Sequence, residues 1–177
     1  MKKDIIAVLA VVLIIAVLAC GVEIQSVDEY YLTHIDDIKP DSKTVFLSIK
    51  CDSILKNQSK ADPALISGGY IPENGVILEK AEYVLRENDT VYDILERVLR
   101  YKKIPFERRG SSASVYIAGI NSIYEYSCGP LSGWMYSVNG IFSEKSCAEY
   151  VLSDGDVIEW VYSCELGHDV REKGGQK

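Results

Sequence analysis

The spacing of apolar residues changes along this chain, and each change marks a new element. From Ile5 to Ala19, fifteen residues run without a polar side chain. Residues 23–43 then show no sustained period, with acidic pairs at Asp28-Glu29 and Asp36-Asp37. From Thr44 the period becomes two. Val45, Leu47, Ile49 and Cys51 alternate with Thr44, Phe46, Ser48 and Lys50, which predicts a strand. Residues 52–80 hold Pro63, Gly68-Gly69, Pro72 and Gly75 and read as a long connection. A short strand is expected over Glu79–Arg86, with Ala81, Tyr83 and Leu85 on one face.

The clearest helix is predicted over Thr90–Lys102. Val91, Ile94, Leu95, Val98 and Leu99 form one apolar stripe at helical spacing. Asn88 and Asp89 can cap it, and Thr90 with Asp93 has the form of a capping box. Asp93/Arg97 and Glu96/Arg100 are expected to pair along its wet side, and Ile104-Pro105 ends it. Short strands follow at Ser114–Ile117, Ile123–Ser127, Trp134–Val138, Tyr150–Leu152 and Asp156–Cys164. Asn139-Gly140 signals a tight hairpin, because both turn positions need positive φ; Asp154-Gly155 signals a turn before the last strand. In that strand Ile158, Trp160 and Tyr162 share one face while Val157 and Val161 line the other, the pattern of a central strand. The order predicts an α+β fold, a β-grasp-like mixed sheet with one amphipathic helix packed across it.

The apolar run at the start changes how the overall composition is read. The 177 residues are 47% hydrophobic and 25% charged, which suits a folded chain and excludes wholesale disorder. Two lysines before a short apolar run match a secretory leader. The sequence Val17-Leu18-Ala19-Cys20-Gly21 resembles a bacterial lipobox, which would make Cys20 the lipidation site, although Leu18 is bulkier than that motif prefers. An uncleaved anchor is the other reading, since Ile5–Val22 is just long enough to span a bilayer. Either way the lysines stay inside and the rest is exported, tethered to the outer face of a bacterial cytoplasmic membrane. The expected organisation is a leader or anchor at 1–22, a polar spacer at 23–43, a domain at 44–170 and a disordered polar tail at 171–177.

The formal charge of −7 becomes −8 once residues 1–19 are set aside. That balance excludes nucleic acid as a partner and is repelled by anionic headgroups. Contact with the membrane is therefore expected through the leader alone. With Cys20 assigned to lipid, Cys51, Cys128, Cys147 and Cys164 remain, an even number that points to two disulfides in an exported domain. Three pairings are open. Cys128–Cys147, around the Asn139-Gly140 hairpin, with Cys51–Cys164, at the ends of neighbouring strands, is the preferred one. His168, four residues after Cys164, raises zinc as an alternative, but no C-x-x-C spacing supports a metal site.

Catalytic signatures are missing: there is no nucleophile elbow, zinc-protease helix or glycine-rich phosphate loop before a helix. No enzyme and no cofactor is expected. Tyr is abundant instead, at 12 against 3 Phe, and Tyr124, Tyr126, Trp134, Tyr136, Tyr150, Trp160 and Tyr162 crowd into forty residues. Such side chains join a flat apolar face to a polar handle and are favoured on binding surfaces. Several of them are also the natural filling of a core. Trp134 and Tyr136, flanked by Leu131 and Ser132 of the Gly129–Gly133 loop and by Asn139 of the hairpin, are the candidate ligand contacts.

These same residues carry a family resemblance. Gly119-Ile120-Asn121, Cys128-Gly129, the run Gly133-Trp134-Met135-Tyr136-Ser137-Val138-Asn139-Gly140, Cys147, Tyr150 and Asp154-Gly155-Asp156-Val157-Ile158-Glu159-Trp160 resemble the transcobalamin C-terminal-like family. The resemblance extends over about residues 44–170. It implies a non-catalytic module that covers one face of a cobalamin-like planar molecule, with the Gly133–Gly140 hairpin facing the ligand. Carrier proteins of that family hold the other face with a helical domain that this chain lacks, so weak or shared binding is expected. The alternative is a cell-surface interaction or adhesion module that meets a partner protein or polysaccharide.

Overall fold

A computed structural model describes residues 35–111 and 114–171, all within a compact unit of residues 34–177. The leader, Cys20, His34 and the tail from 172 lie outside the described residues. Among the described residues no helix is long and apolar enough to cross a membrane.

Among the described residues there are two sheets, three α-helices and one 3-10 turn at Gln58–Lys60. Strands β1 (Thr44–Lys50), β2 (Val76–Val84), β6 (Gly133–Val138), β7 (Ile141–Phe142) and β8 (Val157–Ser163) form a mixed five-stranded sheet in the order β2-β1-β8-β6-β7. β1 and β8 run parallel and the other neighbours antiparallel. Strand β8 is central, as its two half-apolar faces predict. Strands β3 (Phe106–Arg109), β4 (Tyr116–Ile120) and β5 (Ile123–Tyr124) form a separate antiparallel sheet. Helices α1 (Asp52–Lys56) and α2 (Pro63–Ser67) occupy the stretch expected to be a plain connection. Ile54 and Leu65 anchor them by burial in the core.

Strand parity builds the core. Val45, Leu47 and Ile49 of β1 are fully buried, and across the ladder Leu47 meets Ile158 while Ile49 meets Trp160. On the other side of β8, Trp134 opposes Tyr162, Tyr136 opposes Trp160 and Val138 opposes Ile158. Helix α3 (Val91–Tyr101) adds its whole stripe, Val91, Ile94, Leu95, Val98 and Leu99, to the same core. The architecture is thus α+β, with a mixed sheet and one substantial amphipathic helix.

The ends of α3 show how local chemistry sets its limits. Thr90 and Asp93 make the predicted capping box, with the Thr90 N–H donating to Asp93 Oδ2 at 2.8 Å. At the far end Lys103 takes positive φ, and the Ile104 N–H reaches back to Leu99 O at 2.9 Å. The Lys103 N–H donates to Arg100 O, so a Schellman turn closes the helix just before Pro105. Glu96 and Arg100 pair at 2.8 Å as expected. Asp93 does not pair with Arg97, because its carboxylate is taken up by the cap. Arg97 turns back instead to Asp89, at 2.7 Å, and to the Val84 carbonyl, at 2.9 Å. Both side chains of that ion pair are about nine-tenths buried.

The described part of the expected spacer is fastened to the domain. Ile35 packs on the core, and Arg86 grips Asp36 through two hydrogen bonds of 2.8 and 3.0 Å. The Arg86 hydrogen bonds hold the Asp36 carboxyl below the usual carboxylate range. Tyr150–Leu152 forms a single bridge, Val151 to Thr90, rather than a strand. Phe106–Arg109, where no strand is predicted, forms β3 because it finds a partner in β4. Asn139 and Gly140 both adopt positive φ and close the β6–β7 hairpin as expected.

Candidate ligand-binding surface

The two aromatic side chains expected to face a ligand point into the core. Trp134 is 5% exposed; its indole N–H donates to Ile123 O at 2.8 Å, and its ring meets Tyr162 edge-on. Tyr136 is 7% exposed, donates to Lys145 O at 2.8 Å and packs between Trp160 and Tyr150. Ser132 is also buried. Its hydroxyl receives the Cys128 N–H and the Tyr162 O–H and donates to Gly129 O. Only Leu131 and Asn139 are exposed, and Asn139 is occupied by the Asp156 carboxylate and the Val157 N–H. These two flank opposite ends of β6. The five candidates therefore do not converge. The physical reason is parity: residues 134, 136 and 138 are the cross-strand partners of 162, 160 and 158, so all three face inward.

The aromatic surface lies on the small sheet instead. Tyr116, Tyr124 and Tyr126 are 44%, 43% and 63% exposed, and Leu131 and Tyr70 are about half exposed. Gly119 and Tyr124 are opposite each other in the β4–β5 ladder. A Cβ on Gly119 would fall 2.5 Å from the Tyr124 ring, so the ring lies directly on the glycine backbone. Such coverage protects a strand glycine and holds the ring flat, with its other side toward solvent. Tyr116 is fixed by its hydroxyl, which donates to Glu125 Oε2 at 2.9 Å. Burial, and then that bond, pushes the phenol up to about 12. Arg109 lies between Glu107, at 3.1 Å, and Glu125, forming a charged cluster beside the tyrosines. Tyr126 takes positive φ, and its N–H donates to Ser132 O, so the turn that projects it rests on the 129–133 loop. The Tyr70 carbonyl accepts from Asn121 Nδ2 at 3.0 Å, while its ring lies over Gly68. Of these residues, Tyr124, Tyr126 and Leu131 belong to the aromatic cluster and loop that the sequence points to. Tyr116 could have been found only from the pairing of β4 with its neighbours.

The cysteines meet differently from the preferred pairing. Cys128 and Cys164 have their Sγ atoms 2.7 Å apart, both buried, whereas the Cys147 thiol faces Val115 O. Cys51 is buried at the end of β1. All four are thiols in this structure. Burial pushes Cys51 up to about 12 and Cys147 to about 11; burial and then the hydrogen bond with Cys128 raise Cys164. None of these three is poised as a thiolate nucleophile. Among the described residues no group of three or more His, Cys, Asp or Glu side chains could hold a metal. Asp154 and Asp156 spend their carboxylates on Thr44 N, Ser153 N and Asn139.

Comparison with known proteins bears on the region that carries this surface. No curated protein matches the chain. It is similar to haptocorrin solved in complex with Cbi, at 14% identity and a TM-score of 0.49, over 74% of this chain and 27% of that one. The chain thus spans about a quarter of the haptocorrin it matches. It is also similar to a protein from Ruminococcus gnavus ATCC 29149, provisionally described as metal binding, at 12% identity and a TM-score of 0.40, over 68% of this chain and 96% of that one. Residues 88–163, from just before α3 to the end of β8, match the family model described as a domain of unknown function, DUF4430. That matched segment lies within residues 44–170, the stretch over which the sequence resembles the transcobalamin C-terminal-like family.

Proposed function

We propose that this chain is a membrane-tethered, extracytoplasmic ligand-binding module without catalytic activity, built on a β-grasp-like scaffold. The observation that carries the reading is the exposed tyrosine face of the small sheet, Tyr116, Tyr124 and Tyr126, with Leu131. A protein that exposes several aromatic rings on one rigid sheet gives up apolar burial there, and such patches mark interaction sites. The rings offer flat apolar area at low entropic cost, and their hydroxyls with Arg109, Glu107 and Glu125 supply polar handles. A planar molecule with a polar rim, cobalamin-like in shape, fits that chemistry. Haptocorrin, one of the similar structures, was solved with Cbi. An open surface desolvates only one side of such a ligand, so binding is weak or completed by a partner. The leader pattern supports export and attachment to the outer face of the cytoplasmic membrane.

A second reading, a surface module for protein or polysaccharide, is favoured by the same flatness, because sugar rings stack on open aromatic faces. Titration separates the two. The full chain in detergent micelles should bind cobalamin with a Kd between about 10 µM and 1 mM, read from corrin absorbance. The double variant Tyr124→Ser/Tyr126→Ser should weaken it at least tenfold while leaving Tm within about 3 °C. No binding at millimolar cobalamin, together with tyrosine-dependent retention on a polysaccharide matrix, would favour the second reading.

A further inference from the structure

We infer that Cys128 and Cys164 form a disulfide in the exported protein, and that it fastens the loop beside the tyrosine face to the end of the central strand. Their Sγ atoms lie 2.7 Å apart. Unbonded carbon atoms settle at about 3.5–4.0 Å and sulfur is no smaller, whereas a disulfide bond is about 2.05 Å. The two sulfurs are thus pressed well inside ordinary contact. The surroundings hold them there. Cys164 lies beside Ser53 Oγ at 3.8 Å, and its N–H donates to Asp169 at 2.8 Å. The Cys128 N–H donates to Ser132 Oγ, which is also bonded to the Tyr162 hydroxyl. The Cys128 thiol otherwise reaches only the Asn57 carbonyl, at 3.7 Å.

Bond formation takes an external disulfide as oxidant, from an oxidoreductase outside the membrane or a small disulfide such as oxidised glutathione. The first cysteine, as thiolate, attacks that disulfide and releases one thiol. The second then attacks the mixed disulfide, forming the Cys128–Cys164 bond and releasing the second thiol. Two cysteine thiols are oxidised, one disulfide is reduced, and the two protons leave with the released thiols. Because both thiols end up buried, exchange takes place as the chain folds after export.

The bond closes a segment that includes β6, β7 and β8. It sits between Tyr126 and Leu131, so it also fixes the loop that projects those exposed side chains. Peptide mapping tests it independently of any ligand. The full chain, refolded with oxidised glutathione, is alkylated under denaturing conditions and cleaved at Lys, Arg and Asp. Cleavage at Asp154 and Asp156 separates Cys147 from Cys164. The expected result is a cross-linked pair of peptides bearing Cys128 and Cys164. Alkylation of both, or a link of either one to Cys51 or Cys147, would overturn the inference. A reductant should lower Tm by about 10 °C in the parent chain and leave Cys128→Ser/Cys164→Ser unchanged. An equal drop in both would also overturn it.

Discussion

Replacing Arg97 with leucine is expected to destabilise the domain by about 3–5 kcal/mol, the cost of stranding a buried carboxylate. Arg97 and Asp89 meet at 2.7 Å with both side chains about nine-tenths buried, and the same guanidinium satisfies the Val84 carbonyl. Leucine would fill much of the space but leave Asp89 charged in a dry site. Asp89 also accepts the Arg86 N–H and, through its own carbonyl, the Leu152 N–H. The damage would therefore spread to the end of β2 and to residues 150–152. In a urea titration the midpoint should fall steeply with little change in slope. Asp89→Leu/Arg97→Leu should recover part of the loss, because no charge is then stranded. A single-variant loss below about 1 kcal/mol would show that water already reaches the pair.

Trp134→Ala is expected to cost a similar amount, about 3–5 kcal/mol. It empties a large volume beside Tyr162 and leaves Ile123 O without its donor. The milder Trp134→Phe keeps an aromatic ring and should stay folded. Its cobalamin affinity should match the parent's, because Trp134 lies behind the surface rather than on it. Chemical denaturation of Trp134→Phe together with a binding titration separates the roles. A variant with parental stability and lost binding would return Trp134 to the ligand.

Much of the scaffold was legible because its signals are local. The α3 stripe, its Thr90–Asp93 box and the Asn139-Gly140 turn each depend on residues within a few positions of one another. The central place of β8 followed from two faces that are both partly apolar. What escaped the sequence depends on distant partners. β3 is charged and lacks alternation, and only its pairing with β4 makes it a strand. Arg97 had a partner in reach along the helix and chose another eight residues back, because Asp93 was already committed to the cap.

The site was less legible for the same reason. In β6 the odd positions, Met135 and Ser137, are as compatible with a core as Trp134 and Tyr136 are with a surface. Composition could not say which parity faces inward, and the pairing with β8 decides it. Cysteine pairing likewise depends on topology: loop length favoured Cys147 for Cys128, whereas the fold brings up Cys164. Tyr124 and Tyr126 were visible as part of an aromatic cluster, but their exposure follows from the glycine beneath one and the positive φ of the other.

On the proposed function, a ligand meets the outward tyrosines of the small sheet. NMR of the full chain in micelles, with tyrosine and tryptophan selectively labelled and cobalamin titrated in, tests it directly. The ring signals of Tyr116, Tyr124 and Tyr126 should shift together and saturate, while the Trp134 indole signal stays in place. Unmoved tyrosines, with shifts confined to the Trp134 indole or absent at millimolar cobalamin, would contradict the account.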